Sequence, residues 1–314
     1  MFFLGGKQYN MQFEIRNFKK EDMPLLGDFY QAVTRDRKVV FWWVGPEQNW
    51  DNVFCAFEKG RMVAKGQVEI INSISDGHPE ESRHSIYLNL KTLPDRELDF
   101  DLLNRLYESL YGRALELKQQ LSANYRTNLC VGNFGTEVNN NRYFLEEKGF
   151  RQLETLYTME RDLHQPINPV VLPHSKLKSD FWKMDSLEEE KLYLEAECEI
   201  WPDSALGLKR LREYKSNSSW TAIPVWENGS IVACALVWQE DEIGVIEDVF
   251  VKKAWRKQGI AKFLLTTALI YLKDVGLDKA QLMVDTENEK ALSVYQSVGF
   301  NVVEEERRFC VELV

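Results

Sequence analysis

Two adjacent carboxylates, Glu247 and Asp248, interrupt the apolar, β-branched run Val245-Ile246-Glu247-Asp248-Val249-Phe250-Val251. A carboxylate held against apolar neighbours can take a proton from a reacting group. The run leads into Lys252-Lys253-Ala254-Trp255-Arg256-Lys257-Gln258-Gly259-Ile260-Ala261 and then Lys262-Phe263-Leu264-Leu265. Apolar residues at 263, 264, 265, 268, 269 and 272 recur at helical spacing, so a strand passes through a short basic loop into a helix. Such a junction gathers backbone N–H groups at a helix N-terminus, where they and the helix dipole favour an anion. Gly259 permits close approach to the backbone, Ala261 leaves the first turn unobstructed, and Lys252, Lys253, Arg256 and Lys257 add positive charge. The chemistry indicated is phosphate binding beside a proton acceptor. Farther on, Tyr295 follows Asn288 by two helical turns and shares its helix face.

Arg256-x-x-Gly259-x-Ala261 after Glu-Asp-Val-Phe-Val resembles the acetyl-CoA signature of the GCN5-related N-acetyltransferases. Val284-Asp285-Thr286-Glu287-Asn288-Glu289-Lys290-Ala291, Tyr295 and Gly299-Phe300 follow as in that family, and the resemblance covers about the last third of the chain. It implies that the backbone of Arg256, Lys257, Gln258, Gly259, Ile260, Ala261 and Lys262 holds the pyrophosphate of acetyl-CoA. It also implies that Val249, Phe250 and Val251 pair with the pantetheine arm as an added strand would, with Asn288 and Ala291 contacting the same arm. Glu247 becomes the candidate base, directly or through a water, and Tyr295 the donor to the departing sulfur. Strand alternation places Asp248 on the face opposite Glu247, an assignment that a bulge would reverse. Asn288 also reads as a helix cap.

The elements that must position these residues come in two similar sets. In the first, Gln12 to Arg16 alternates as a strand and Glu21 to Val33 is helical. Asn52 to Phe57 and Arg61 to Ile71 form a hairpin about Glu58-Lys59-Gly60. Ser85 to Leu90, the helix Asp99 to Gln120, Asn128 to Val131 and the helix Asn139 to Lys148 complete the set, with Gly149 as a C-terminal cap. Proline-containing residues 163–173 read as a linker. The second set has helices from Ser186 to Ile200 and from Ser204 to Tyr214, the first opening on a capping box. A hairpin of Trp220 to Trp226 and Ser230 to Trp238 turns at Asn228-Gly229. After the strand and helix of the opening come Gln281 to Val284, Asn288 to Val298 and two short strands near Asn301 to Val303 and Phe309 to Val314.

Glu58-Lys59-Gly60-Arg61-Met62-Val63-Ala64 lines up with Glu227-Asn228-Gly229-Ser230-Ile231-Val232-Ala233, and Lys148-Gly149-Phe150 with Val298-Gly299-Phe300. The expected fold is mixed α/β: two tandem domains of the acetyltransferase kind, each a twisted mixed, largely antiparallel sheet flanked by helices. Residues 1–10 form an extension, 11–162 a degenerate copy and 174–314 the catalytic domain. The first copy departs from the family pattern opposite the phosphate loop, where Pro94 lacks an N–H and Asp95, Glu97, Asp99 and Asp101 crowd negative charge. Leu145 stands opposite Tyr295 and Val138 opposite Asn288, so this half is not expected to bind acetyl-CoA in the usual mode.

With 314 residues, 44% hydrophobic and 28% charged, the chain has the composition of about two globular domains. A net charge of −10 disfavours a nucleic-acid partner. Five scattered cysteines without CxxC spacing read as reduced core thiols, and four histidines without HExxH indicate no metal. No window reaches the roughly 18 apolar residues of a membrane span, and the N-terminus lacks a signal pattern. The expectation is a cytoplasmic acetyl-CoA-dependent N-acetyltransferase, monomeric or homodimeric, acting on a small primary amine. An acyl-CoA-binding regulatory module and a peptide or protein N-acetyltransferase are the alternatives. Trp201, Trp238 and Asp248 are the acceptor-side candidates, aromatic and carboxylate groups that suit a cation.

Overall fold

The computed structural model describes residues 13–74, 77–202 and 206–314. The expected N-terminal extension and the expected start of the second unit's second helix at Ser204 lie outside these. The chain divides into two compact units, one of residues up to 76, 83–153 and 307–314, the other of residues 77–82 and 154–306.

The first unit holds β1 (Glu14–Asn17), α1 (Met23–Thr34), β2 (Val53–Glu58), β3 (Arg61–Asn72), β4 (Arg83–Thr92), α2 (Phe100–Lys118), β5 (Arg126–Phe134) and α3 (Val138–Arg142). Strands β1 to β5 lie side by side in chain order, with β4 and β5 parallel and the earlier pairs antiparallel. Turn residues Lys59 and Gly60 both take positive φ, the left-handed pair that a two-residue hairpin requires. Leu102, Leu106 and Leu110 recur on one stripe of α2 and pack with Val68, Ile86 and Leu88 in the unit's core. Leu110 comes so close to β3 that a Cβ on Gly66 would lie 2.4 Å from it.

The second unit continues with β6 (Arg151–Asp162), β7 (Lys178–Ser179), α4 (Leu187–Cys198), α5 (Gly207–Lys215), β8 (Ser218–Ala222), β9 (Val225–Glu227), β10 (Ser230–Glu240) and β11 (Ile243–Val251). It closes with α6 (Ile260–Asp274), β12 (Lys279–Asp285), α7 (Glu289–Ser297) and the start of β13 (Asn301–Glu312). The central strands run β6, β12, β11, β10, β9, β7, and only β11 with β12 is parallel. Alternation along β10 sends Ala235 and Val237 to one face and Cys234, Leu236 and Trp238 to the other. Leu264, Leu265, Ala268, Leu269 and Leu272 of α6 cover the first face, while Tyr193 and Ala196 of α4 and Leu211 of α5 cover the second. Burial of each such leucine contributes about 2 kcal/mol. The α4 face and the α6 face are thus separate cores divided by the sheet.

Several boundaries differ from expectation. The single strand expected from Trp220 to Trp226 is broken between β8 and β9 at Ile223-Pro224, because proline cannot donate to a ladder. The C-terminal residues form one continuous strand instead of two, since Glu304 to Arg308 are polar but include no glycine, proline or asparagine to turn the chain. The helix expected over 139–148 is a short α-turn followed by a π-turn at Tyr143–Glu147. At both ends of the second unit the grouping differs from chain order. Residues 154–162, expected with the first domain, pair through β6 with β12 from Asp162↔Lys279 to Leu156↔Asp285. Residues 307–314, expected with the second, supply Phe309 and Leu313 to the first unit's core, where the Leu313 N–H bonds the Thr127 carbonyl at 2.9 Å.

Candidate active site

The segment from β11 to α6 places the expected phosphate loop at an open helix end. Gly259 is the N-cap of α6 with φ 83°, and no side chain caps the helix. Lys257 is also left-handed at φ 61°, and a Cβ on Gly259 would meet no atom within 4 Å. The first-turn N–H groups of Ile260, Ala261 and Lys262 therefore lack the side-chain acceptor that usually satisfies such donors. Arg256 is tied back by Nε to the Val251 carbonyl at 2.9 Å, and the Gln258 side chain is held by Ala254 and His174. Ile260 is buried in the α6 core, so it offers backbone and not side chain. Lys252 pairs with Glu199 at 2.8 Å.

In the first unit the corresponding helix end is closed. Asp99 caps α2, accepting from the Leu102 N–H at 3.1 Å, and Arg96 ties Asp99 and Glu58 together at 2.5 and 2.7 Å. A carboxylate of the protein already occupies the place where an external anion would bind.

The parallel strands tell the same story. Pairing of β11 with β12 extends only over Gly244↔Ala280 and Val245↔Gln281, after which the strands part. Past Val245, the edge of β11 toward β12 can accept an added extended chain, and Val249, Phe250 and Val251 lie on that stretch. In the first unit, β4 and β5 remain paired from Arg83↔Arg126 to Leu88↔Val131. Beyond them, the buried Lys91 amine bonds Asn133 Oδ1 at 2.7 Å and the Glu137 carboxylate. A protein network fills that fork.

Between Cys234↔Phe250 and Leu236↔Glu247 the register shifts, so β11 carries an extra residue there, and Asp248 adopts φ 49°. The bulge overturns the expected alternation of the two carboxylates. Glu247 stands opposite Leu236, whose side chain belongs to the α4 face. Asp248 reaches the same side, accepting from the Tyr193 hydroxyl at 3.1 Å. Val249 passes instead to the α6 face, and Phe250 returns to the α4 face. Both acids thus serve one side of the sheet. Burial pushes the Asp248 carboxyl up to about 6, against the opposing effect of the Tyr193 hydrogen bond.

Tyr295 of α7 is half-buried on the α6 side, edge-on to Phe300 at 6.3 Å. Burial first, and then the charge of Glu247, raises its phenol to about 12, so it holds its proton at neutral pH. Candidate base and candidate proton donor thus lie within electrostatic reach of each other. Asn288 caps α7, its Oδ1 accepting from the Ala291 N–H at 3.2 Å, which fits the capping role read from sequence. Trp201 lies edge-on to Phe250 at 6.0 Å, and Trp238 stacks on Tyr214 at 4.6 Å and 25°. Both acceptor-side tryptophans therefore belong to the α4 side with Asp248.

Sequence reasoning missed Glu197, Tyr193 and Tyr214. Glu197 of α4 is 2% exposed, and both its oxygens accept from the Leu206 N–H at 3.2 Å. Burial, with Asp248 adding to it, pushes the carboxyl up to about 7. Tyr193 is fully buried, its phenol raised well above normal by burial and then by Asp248. Helical spacing could have found Tyr193 four residues before Glu197, but α4 is so rich in glutamate that no pattern singles out the buried Glu190 and Glu197.

The fold and site together define an α/β protein with a mixed sheet, a parted parallel strand pair and an uncapped helix N-terminus. Residues 183–300 match the Acetyltransferase (GNAT) family, so the second unit carries a domain of that family. Mycothiol acetyltransferase of Corynebacterium efficiens is 26% identical over 143 residues, 44% of this chain and 48% of the relative. The chain thus spans about half the length of that curated relative. A GCN5-related N-acetyltransferase from Sphaerobacter thermophilus shares the fold over 96% of each chain, with TM-score 0.73 and 18% identity. A tandem GNAT protein from the clavulanic acid biosynthesis pathway shares it over 96% of this chain and 99% of its own, with TM-score 0.64 and 12% identity. At these identities the likeness is one of fold. Among the described residues no group of acidic, histidine and cysteine side chains could hold a metal ion, and no helix is long and apolar enough to cross a membrane.

Proposed function

We propose that the chain is an acetyl-CoA-dependent N-acetyltransferase, with cosubstrate and chemistry confined to residues 174–314 and a small primary amine as acceptor. The observation that carries this reading is the contrast between the two helix ends. The end at Gly259 is uncapped and lies within the family-matched segment, whereas its counterpart is sealed by Asp99. The first domain, residues 11–162, is accordingly a degenerate copy that does not take acetyl-CoA in the family's way.

Acetyl-CoA supplies an activated acetyl group. The N–H groups from Arg256 to Lys262 fit its pyrophosphate, and the parted edge of β11 at Val249, Phe250 and Val251 fits the pantetheine amides. Asn288 and Ala291 flank that arm at the start of α7. Glu247 accepts the proton that the amine must lose, and Tyr295 gives a proton to the departing sulfur. A phenol raised to about 12 keeps its proton at neutral pH, so it can direct an O–H hydrogen bond at the sulfur as charge develops there.

The test is thiol release from acetyl-CoA across a panel of primary amines. Turnover with at least one amine is expected. Tight acetyl-CoA binding with no turnover for any amine, free peptide N-termini included, would instead identify a sensor of acyl-CoA.

A further inference from the structure

The segment read from sequence as a linker, with the residues just after it, reaches the phosphate loop through its side chains. Ile167, Leu172 and Leu177 pack into the α6 core, and the Leu177 N–H closes a turn onto the His174 carbonyl at 3.0 Å. Strand β7 follows at once, pairing with β9 through Lys178↔Trp226 and Ser179↔Val225. Residues 172–177 are therefore anchored by core side chains and by a ladder. A side chain that leaves this turn starts from a fixed point.

Two such side chains meet the loop. His174 Nε2 lies 2.6 Å from Gln258 Oε1. Gln258 Nε2 donates to the Ala254 carbonyl at 3.1 Å, and because a carbonyl can only accept, that contact fixes which end of the amide faces His174. The imidazole therefore carries a proton on Nε2 and donates to Gln258. The same imidazole stands edge-on to the Trp255 ring at 6.1 Å, and the Lys176 ammonium lies 4.7 Å from the centroid of that ring. Lys176 is itself held by Glu227 of β9 at 2.6 Å. The loop needs such support. Lys257 and Gly259, on either side of Gln258, are both left-handed, and a residue with a Cβ keeps that conformation only where its surroundings impose it. The bonds from Arg256 to Val251 and from Gln258 to Ala254 close the loop on itself, whereas the bond from His174 ties it to a separately anchored part of the domain.

We propose that His174 is a positioning residue for acetyl-CoA. Through Gln258 it holds residues 254–259 in the conformation that aims the N–H groups of Arg256 to Lys262 at the pyrophosphate, and residues 172–177 act as a clasp on that loop. This rests on the acetyl-CoA reading and deepens it. His174 acts through Gln258 and takes no part in the transfer itself. A group that only shapes the cosubstrate's binding site serves ground state and transition state equally, so its loss weakens binding and leaves the rate at saturation unchanged.

The test is calorimetric titration of the full chain with acetyl-CoA. His174→Phe keeps a ring beside Trp255 and removes the donor, and should raise the acetyl-CoA Kd about fivefold, the worth of one hydrogen bond. His174→Gln restores an N–H of similar reach and should return Kd to within about twofold of wild type. Gln258→Leu breaks the same bond from the loop side and also keeps the proposal testable should His174→Phe fail to fold. Adding His174→Phe to Gln258→Leu should then cost nothing more. Where the chain turns over, the acetyl-CoA KM should rise in His174→Phe while kcat at saturation and the amine KM stay constant. An unchanged Kd in His174→Phe, no recovery in His174→Gln, additive losses in the double variant, or a fall in kcat at saturation would each overturn the proposal. Inorganic pyrophosphate, which needs the loop alone, separates this from the acetyl-CoA reading. Wild type that binds pyrophosphate and not acetyl-CoA ends that reading, and weaker pyrophosphate binding by His174→Phe still upholds the clasp. Equal pyrophosphate binding by the two proteins, or none by either, removes it.

Discussion

Glu190 and Glu197 are both buried on α4, but Glu190 is paired with Arg212 and Lys215 whereas Glu197 accepts only from the Leu206 N–H among the described residues. The consequence is a stability that depends on pH. The carboxyl is raised from 4.5 to about 7 in the folded protein. Between those values the folded state binds more protons than the unfolded state, so stability falls as pH rises through that window and the cost is complete above pH 7. At most, a shift of this size amounts to about 3 kcal/mol. Asp248, raised to about 6, acts in the same direction. Glu197→Gln removes one titration, so urea unfolding should show the variant gaining stability on wild type between pH 5 and pH 8. An equal difference at the two pH values would mean that Glu197 is not buried as a neutral acid. Tyr295 is tested by rate instead. Tyr295→Phe keeps the ring against Phe300 and should lower kcat at least tenfold with little change in acetyl-CoA affinity, provided chemistry limits turnover. Unchanged kcat would take the phenol out of the reaction.

At the scale of elements, the two helix N-termini make opposite predictions. Gly259→Ala forces a Cβ into a left-handed conformation, costing roughly 1 kcal/mol, and disturbs the turn that presents the open N–H groups. Acetyl-CoA affinity should fall severalfold or more by calorimetry. Asp99→Ala removes a cap worth about 1 kcal/mol, so it should lower the melting temperature without altering acetyl-CoA affinity. A loss of affinity in Asp99→Ala would place cosubstrate at the first unit's helix end and end the one-site reading. The contrast was legible in the residues themselves, because a glycine followed by small and basic residues and a run of acids after Pro94 state their electrostatics directly. The bulge in β11 was not. Its left-handed residue is Asp248 and no glycine marks it, so simple alternation put the two acids on opposite faces. Glu197 was hidden for a related reason: a glutamate-rich helix of weak amphipathicity does not declare which carboxylates are buried.

At the scale of the molecule, chain order and compact units part company. Hydrophobic alternation reveals that a strand exists but not which sheet receives it, and for that reason the edges of the two units were not readable from sequence. The second unit takes β6, whose pairing with β12 runs through seven registered residues. Buried Arg161 of that strand also fixes the end of α7, its Nε donating to the Val298 carbonyl at 3.0 Å and its Nη2 to the Pro166 carbonyl at 2.8 Å. Gly299 is needed beside it, since a Cβ there would stand 2.6 Å from the Arg161 guanidinium. A fragment cut at the sequence linker, residues 174–314, therefore lacks the strand that covers β12 and the clamp on α7. It should be insoluble or lack a cooperative melting transition, whereas a fragment of residues 154–306 should restore that transition and bind acetyl-CoA. Deleting residues 307–314 from the full chain should act elsewhere: it strips Phe309 and Leu313 from the first unit's core, at a cost of several kcal/mol. Calorimetry should then show the first unit melting earlier while acetyl-CoA still protects the second. Cooperative folding of residues 174–314 alone would show that β6 is dispensable and that the units follow chain order after all.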